Sequence, residues 1–379
     1  MFIPSQFLTF FTFIPLILYT AAITMFCVVV FRAKKGTQNN PTPPVSIIIP
    51  FRNEEKNIPP LVHSLTAQRY PNDIELVFID DNSSDNGRNV LNSLLSVPQS
   101  PDHKILTLNY DPKTMLSSKQ QALELGVSES KHPLIIFSDA DMRFKENWVE
   151  DLVRSMDKEV ALVFGHTSVL KEKSAKPAQV MESFQLELLF CFAYAFDKAN
   201  LCGSGMGNNI LFRKSAYLKC GGQKAIGYSI VEDRDLLSLF HRKGYKFSAQ
   251  EPFLANAFTY PHTSIKQFLN QLRRWASGGL APGSNLLPFA LLLFFQNFIF
   301  LTMFSGVLPM ALSALTTLNF FLTWLFTALC FKKIGSTIST LLFPLYYIFL
   351  IGEILLWGVT VLLRRKLIWK NRVLSKETA

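Results

Sequence analysis

No charged residue precedes Arg32, none lies between Trp275 and Phe331, and only Glu353 is charged between Ile334 and Leu363. Each of these runs exceeds the roughly 20 apolar residues needed to cross a bilayer, which excludes a purely soluble chain. The Phe7–Phe31 stretch could also be a cleaved leader. It lacks a basic n-region and its apolar run is too long, so an N-terminal anchor is expected. Cysteine is scarce: Cys27, Cys191, Cys202, Cys220 and Cys330 show no CxxC spacing, and two of them fall in apolar segments. A disulfide framework and a zinc site are therefore not expected. There is no internal repeat and no low-complexity segment.

The charge that is present has a pattern. The net charge of +10 could point to nucleic acid, but the basic residues bunch beside apolar runs at Arg32–Lys35 and Arg364–Lys366. Anionic lipid headgroups explain that placement better, and no nucleic-acid partner is expected. Arg32, Lys34 and Lys35 follow the first apolar run, so by the positive-inside rule the next segment is cytoplasmic. Hydropathy splits the C-terminal region, interrupted by Pro282, Pro288 and Pro309, into spans near 286–306, 309–331 and 337–363. Three crossings would send Arg364, Arg365, Lys366, Lys370 and Arg372 outside, against the same rule. One segment is therefore expected to be re-entrant or interfacial, with the Pro288 and Gln296–Asn297 portion as the candidate. Glu353 is expected to face protein rather than lipid.

Between the membrane segments lies enough chain for one domain of roughly 220 residues. It alternates predicted strands and helices: Val45–Pro50, then a helix over 57–68, Ile74–Asp80, a helix over 86–95, a strand over 104–108, a helix over 117–125 and Leu134–Phe137. Such alternation predicts a parallel sheet with helices on both faces. Two of the strands stop in acid, at Asp80-Asp81 and at Ser138-Asp139-Ala140-Asp141. In an open parallel sheet, residues beyond the carboxyl ends of the strands face a ligand rather than the core. An Asp-x-Asp there suits a hard divalent cation, Mg²⁺ or Mn²⁺, because carboxylates leave coordination sites for phosphates and water. The ligand expected is a metal-bound diphosphate.

Five ordered motifs carry a resemblance. Pro50-Phe51-Arg52-Asn53-Glu54-Glu55, Asp80-Asp81-Asn82-Ser83-Ser84-Asp85, Asp139-Ala140-Asp141, Val231-Glu232-Asp233 and Gln271-Leu272-Arg273-Arg274-Trp275 together resemble a membrane-bound family-2 glycosyltransferase. The resemblance covers about Val45–Trp275, and the terminal Ile368-Trp369-Lys370-Asn371-Arg372 is similar to a Trp-Lys-Gly-Arg tail, with Asn371 departing from the glycine. It implies an α/β fold: a GT-A, Rossmann-like nucleotide-diphospho-sugar transferase domain between N- and C-terminal transmembrane helices. The boundaries expected are an anchor at 1–31, a basic and Pro-rich linker at 32–44, the GT-A domain at 45–260, an interfacial segment at 261–284, a transmembrane region at 285–363 and a basic cytoplasmic tail at 364–379.

The resemblance also implies roles. Pro50, Arg52 and Glu54 line the nucleotide pocket, Asp80 or Asp81 accepts a hydrogen bond from uracil or ribose, and Lys119 stands near the donor phosphates. Asp139 and Asp141 hold the metal, with Asp139 also on the donor, and Asp233 is the general base, which an acceptor hydroxyl needs before it can attack. Glu232 is supporting. Gln271, Arg274 and Trp275 serve the leaving diphosphate and the acceptor, Arg274 through charge-assisted bonds and Trp275 through its flat ring. The activity implied is EC 2.4 hexosyl transfer with inversion, from a nucleotide sugar, by default a UDP-sugar, to a lipid-linked or membrane-embedded acceptor. It would occur at the inner membrane, in a multi-pass protein with its catalytic domain in the cytoplasm. Neither sugar, acceptor nor oligomeric state follows from the sequence.

Other readings remain open. A processive polysaccharide synthase shares the Gln-x-x-Arg-Trp motif, although few C-terminal spans argue against a polymer channel. A non-catalytic transporter subunit with a degenerate transferase domain is disfavoured by the intact acids at 139, 141 and 233. Alone, Asp80–Asp85 could be an Asx-turn closing a strand, and Lys119 a solvated helix lysine. Gly203–Asn209 is expected as a tight loop with Asn208 as a candidate contact, Val180–Phe196 as core, and His262 as structural rather than a metal ligand.

Overall fold

The computed structural model describes residues 5–33, 42–98, 100–170, 177–251, 255–279, 286–336, 340–362, 367–369 and 372–374. The basic clusters at 34–35 and 364–366, Pro41, Pro282 and the Lys370-Asn371 pair of the terminal motif lie outside them. The chain forms two compact units. One comprises Lys35–Ala193, Gly203–Thr263 and Ile368–Ala379, and the other Met1–Lys34, Tyr194–Cys202 and Ser264–Leu367. The expected 45–260 domain is thus interrupted, because the end of its long apolar helix groups with the membrane-type helices.

After the N-terminal helix α1 (Ser5–Arg32), the chain alternates β1 (Val45–Phe51), α2 (Ile58–Thr66), β2 (Ile74–Asp80), α3 (Gly87–Leu95), β3 (Asp102–Thr107), α4 (Ser118–Glu129) and β4 (Leu134–Phe137). It continues through β5 (Met142–Phe144), α5 (Trp148–Arg154), β6 (Val160–Phe164), β7 (Thr167–Val169), α6 (Pro177–Lys198) and β8 (Ile210–Arg213). Then come α7 (Lys214–Cys220), α8 (Gly222–Ile226), α9 (Glu232–Arg242), β9 (Lys246–Ala249) and β10 (Ala257–Thr259). The apolar runs of β1 and β2 form strands buried on both faces, as a sheet covered by helices requires. α2 begins with prolines in its first turn, where missing N–H groups cost nothing, and buries Ile58, Leu61, Val62 and Leu65 on one face. α4 opens with a capping box between Ser117 and Gln120. It lies so close to the sheet that a Cβ on Gly126 would come within 2.3 Å of Ile48 Cγ2.

The main sheet has seven strands in the order β3-β2-β1-β4-β8-β6-β9, and β5-β10-β7 form a smaller one. β1 pairs parallel with β2 and β4, with Phe51 opposite Asp80 and Ile48 opposite Phe137. The carboxyl ends of β1, β2 and β4 therefore meet at one edge, and the sequence loops carrying Arg52, Asp80 and Asp139 all leave from it. The parallel sheet expected over Val45–Phe137 is found in β1 to β4, and beyond them β8 runs antiparallel to both β4 and β6. Alternation dictates strand direction only where one crossover helix joins neighbours. Between β4 and β8 lie β5, α5, β6, β7 and α6, and that longer excursion brings the chain back from the other end.

The second unit carries α1 with α10 (Ile265–Gly279), α11 (Leu287–Met303), α12 (Met310–Ile334) and α13 (Phe343–Leu362); the strands β11 (Leu367–Trp369) and β12 (Arg372–Leu374) follow in the chain. Among the described residues Phe11–Arg32 and Met310–Ile334 are long and apolar enough to cross a membrane, while Leu287–Met303 and Phe343–Ile354 are shorter apolar helices. α1 and α12 run parallel: Tyr19 Oη meets Thr323 Oγ1 at 2.9 Å, Phe26 packs on Phe326, and Lys333 Nζ donates to Ala33 O at 2.9 Å. Asn319 ties three helices together, accepting from Thr20 Oγ1 (2.7 Å) and donating to Gln296 Oε1 (3.0 Å). Such bonds between helices average only about 0.6 kcal/mol, so they set register more than strength. Phe289 of α11 stacks beside Tyr19 and Phe26, while Ile299 clusters with Leu16. α11 thus lies along α1. Glu353 is 3% exposed and faces its neighbouring helices.

Candidate active site

Two asparagines shape the loops beyond β1 and β2. Asn53 (φ 54°) and Asn82 (φ 55°) adopt the left-handed conformation, which asparagine tolerates better than most residues. Asn53 Oδ1 then accepts from Ser84 N at 2.7 Å, Asn53 N donates to Ser83 Oγ at 3.1 Å, and Glu55 N donates to Asp85 Oδ2 at 2.8 Å. The two loops are laced into one wall. Within it Asp80 Oδ1 accepts from Ser83 N (2.9 Å) and Oδ2 lies 3.5 Å from Arg88 Nη1. Arg52 Nη1 donates to Asp81 O (3.3 Å) and stands 3.7 Å from Asp81 Oδ2, and buried Glu54 accepts from Asn57 Nδ2 at 2.6 Å. Pro50 is the half-buried penultimate residue of β1. Asp80 thus closes a turn, one of the open readings of Asp80–Asp85.

A cleft in the same unit is lined by Lys119, Ser138, Asp139, Gly207, Gln223, Glu232 and Asp233, among others. Lys119, in the first turn of α4, puts Nζ 2.8 Å from Asp139 Oδ1 and 2.8 Å from Glu232 Oε1. Burial works against its ammonium, but the two carboxylates outweigh that cost and hold the group well above the usual lysine range. Asp233 lies in the first turn of α9. Its Oδ2 accepts from Gly207 N at 2.9 Å and its Oδ1 from Arg234 N at 2.8 Å. Glycine is required at 207, where a Cβ would stand 2.6 Å from Asp233 Oδ2. The loop before it is anchored by buried Asn209, which accepts from Trp148 Nε1 at 2.9 Å. Asn208 uses its side chain on Thr167 Oγ1 at 2.9 Å and its carbonyl on Ser138 Oγ at 2.9 Å.

Asp139 and Asp141 fit a hard cation. Both are carboxylates beyond the end of β4, and the side chain of Asp139 is 33% exposed. Among the described residues no three His, Cys, Asp or Glu are gathered as a ready-made cage. A cation on two carboxylates would complete its sphere with substrate phosphates and water, as Mg²⁺ commonly does. His262 is paired with Glu182, which accepts from its backbone N at 2.9 Å and contacts Nδ1 at 2.5 Å.

Lys119, Asp139, Glu232 and Asp233 are thus brought together around one cleft, while Pro50, Arg52, Glu54, Asp80 and Asp81 form the wall at the ends of β1 and β2. Gln271, Arg274 and Trp275 share one face of α10, at intervals of three and four residues, and all three are half-buried. They belong to the other unit. Sequence reasoning missed the ion pair from Lys119 to Glu232, the partnership of Arg88 with Asp80, and Gln120 and Gln223. Only the Ser117-x-x-Gln120 spacing offered a signal, as a capping box.

A family model described as Glycosyl transferase family 21 matches residues 9–378. Ceramide glucosyltransferase 1 of Caenorhabditis elegans is 24% identical over 267 residues, covering 68% of this chain and 55% of that protein. The probable glycosyltransferase YdaM of Bacillus subtilis is 27% identical over 246 residues, covering 62% and 55%. An undecaprenyl-phosphate 4-deoxy-4-formamido-L-arabinose transferase of Yersinia pestis is 33% identical over 112 residues, covering 28% and 31%. The chain thus spans about half or less of the length of these curated relatives. Among solved structures, the mannosyltransferase PcManGT from Pyrobaculum calidifontis, in complex with GDP-Man and Mn²⁺, superposes with a TM-score of 0.55 at 15% identity, covering 93% of this chain and 99% of that one. That likeness shows the fold.

Proposed function

The chain belongs to glycosyl transferase family 21, and on that footing we propose that it inverts configuration while moving a hexose from a nucleotide-diphospho-sugar, by preference a UDP-sugar, to a lipid-linked or membrane-embedded acceptor. The observation that carries this reading is the meeting of Asp233 with Lys119 and Asp139 in one cleft at the carboxyl ends of the strands. It is a fitting place for a base opposite a leaving diphosphate. The lipid acceptors named for the ceramide and undecaprenyl-phosphate relatives, and the nucleotide sugar bound by PcManGT, support the same direction.

In this scheme Asp233 takes the proton of the acceptor hydroxyl while its oxygen attacks the anomeric carbon. The bond from that carbon to the diphosphate breaks, and the diphosphate leaves with the electron pair. Lys119 faces the developing charge, and Arg52, Glu54, Pro50, Asp80 and Asp81 hold the nucleoside. Asp139 and Asp141 would hold Mg²⁺ or Mn²⁺, which supplies charge neutralisation to the diphosphate. By the motif resemblance, Gln271, Arg274 and Trp275 would serve the leaving group and the acceptor. The catalytic unit faces the cytoplasm of a multi-pass inner-membrane protein.

Membranes containing the protein, supplied in turn with UDP-glucose, UDP-galactose, UDP-N-acetylglucosamine and GDP-mannose, should convert one donor into a glycolipid that mass spectrometry detects. A single added sugar is expected, and long chains would mean a processive synthase instead. No sugar transfer and no nucleotide release with any donor would overturn the proposal.

Two substitutions test the placement of the groups. Gly207→Ala should push Asp233 out of position and slow turnover by about 10²-fold, the usual result of a displacement near 1 Å. Steady-state rates beside the donor dissociation constant would reveal this, and a wild-type rate would contradict it. Trp275→Ala should impair transfer while leaving membrane extraction and UDP affinity nearly unchanged, and Trp275→Phe should keep part of the activity. Near-wild-type transfer by the alanine variant would reduce Trp275 to an interfacial anchor.

A further inference from the structure

A buried amide in the cleft has a donor to spare. Gln223 is 0% exposed and lines the cleft with Asp139 and Asp233, and its Nε2 has no hydrogen-bond partner among the described residues. A buried donor left without an acceptor is costly, and native structures hold few of them. Its orientation is also fixed. Gln223 Oε1 accepts from Gln120 Nε2 at 3.1 Å, so the amide nitrogen must point elsewhere.

Gln120 in turn cannot flip. Its Oε1 accepts from two backbone N–H groups, Ser117 at 3.1 Å and Ser229 at 3.1 Å, and its Nε2 donates to the carbonyl of Gly227 at 2.7 Å. All four bonding positions of this side chain are filled, three of them by backbone whose donor and acceptor sense is invariant. A rotated Gln120 would oppose donors to donors. Two glutamines in series therefore translate backbone polarity into a presented N–H₂ on Gln223.

From this geometry we propose that Gln223 is a specificity-determining residue that donates a hydrogen bond to a hydroxyl of the transferred sugar, with Gln120 as its positioning residue. The occupant is the sugar because Gln223 lines the same cleft as Lys119, Asp139 and Asp233, the proposed diphosphate and base positions. A neutral amide suits a neutral hydroxyl, whereas the phosphates already have a lysine. The proposal rests on the nucleotide-sugar reading above.

The test compares wild type with Gln223→Leu, Gln223→Glu and Gln120→Met in membranes with Mn²⁺. The donor is whichever of the four named above the wild type binds, together with its monodeoxy analogues and free nucleoside diphosphate. Gln223→Leu should lower kcat/KM for the parent donor by about 10- to 100-fold. It should leave nucleoside-diphosphate affinity within about twofold and change nothing for the one analogue that lacks the contacted hydroxyl. Gln120→Met should reproduce a weaker version of the same pattern. An unchanged preference in Gln223→Leu, or an equal loss with every analogue, would overturn the proposal and leave the amide to water. If the leucine variant does not accumulate, Gln223→Glu and Gln120→Met carry the same comparison, and wild-type discrimination in both would overturn it. A wild type that binds none of the four donors would instead overturn the donor reading itself.

Discussion

Asparagine at position 139 or 141 is expected to abolish detectable transfer and to weaken metal-dependent donor binding. Each substitution removes one of the two protein charges available to a cation beyond β4, and no third acid, histidine or cysteine is grouped with them among the described residues to compensate. Charge neutralisation by a bound cation is worth several kcal/mol at the transition state, so a loss of about 10³-fold or more in rate is anticipated. The two positions should differ in one respect. Asp139 also carries half of the ion pairing of Lys119, at 2.8 Å, so Asp139→Asn disturbs the lysine proposed to face the diphosphate as well as the cation. Mn²⁺ titrations of donor binding would show a right shift for both variants. Activity that survives EDTA and both substitutions would remove the metal from the scheme.

Asp233→Asn should slow transfer by roughly 10²- to 10⁴-fold, the usual worth of a positioned general base, with donor affinity intact. Asparagine fills the same volume and keeps one oxygen for the backbone donor of Gly207, giving up the bond from Arg234 N, so the Gly207 loop should hold its place. What disappears is the capacity to take a proton. Single-turnover rates at saturating donor would isolate that step. A variant that loses donor affinity without any separate loss in turnover would make Asp233 a binding residue.

Much of the half-sheet that carries the donor wall was legible, because its information is local. Apolar runs mark Val45–Phe51, Ile74–Asp80 and Leu134–Phe137, the last two stopping in acid where the strand leaves the core, and the observed strands match them closely. The GT-A type of fold followed from the order of five motifs. The antiparallel β8 was not legible, since strand direction after a long excursion depends on how α6 and the small sheet fold. The division of α6 between two units escaped notice for a similar reason: Phe and Leu bury equally well in a domain core and in a helical bundle.

Side-chain partnerships were the least visible. Glu232 lies 113 residues from Lys119, and Gln223 lies 103 from Gln120, so nothing in either local sequence announces its partner. An acid can at least be suspected of chemistry. A glutamine cannot, and its meaning here comes only from which backbone groups surround it.

The clasp between α1 and α12 has a consequence for how the protein is made. Tyr19 and Thr323 are separated by 304 residues, and Thr20 and Asn319 by 299. At about 5–20 residues per second, the ribosome needs roughly 15–60 s to supply those partners after α1 emerges. During that interval the first helix lacks these partners, and its hydroxyls must turn to their surroundings or to its own carbonyls. Thr20 already has the last option, with Oγ1 2.8 Å from Leu16 O. The polar ladder thus closes only in chains in which everything between the two helices has been translated.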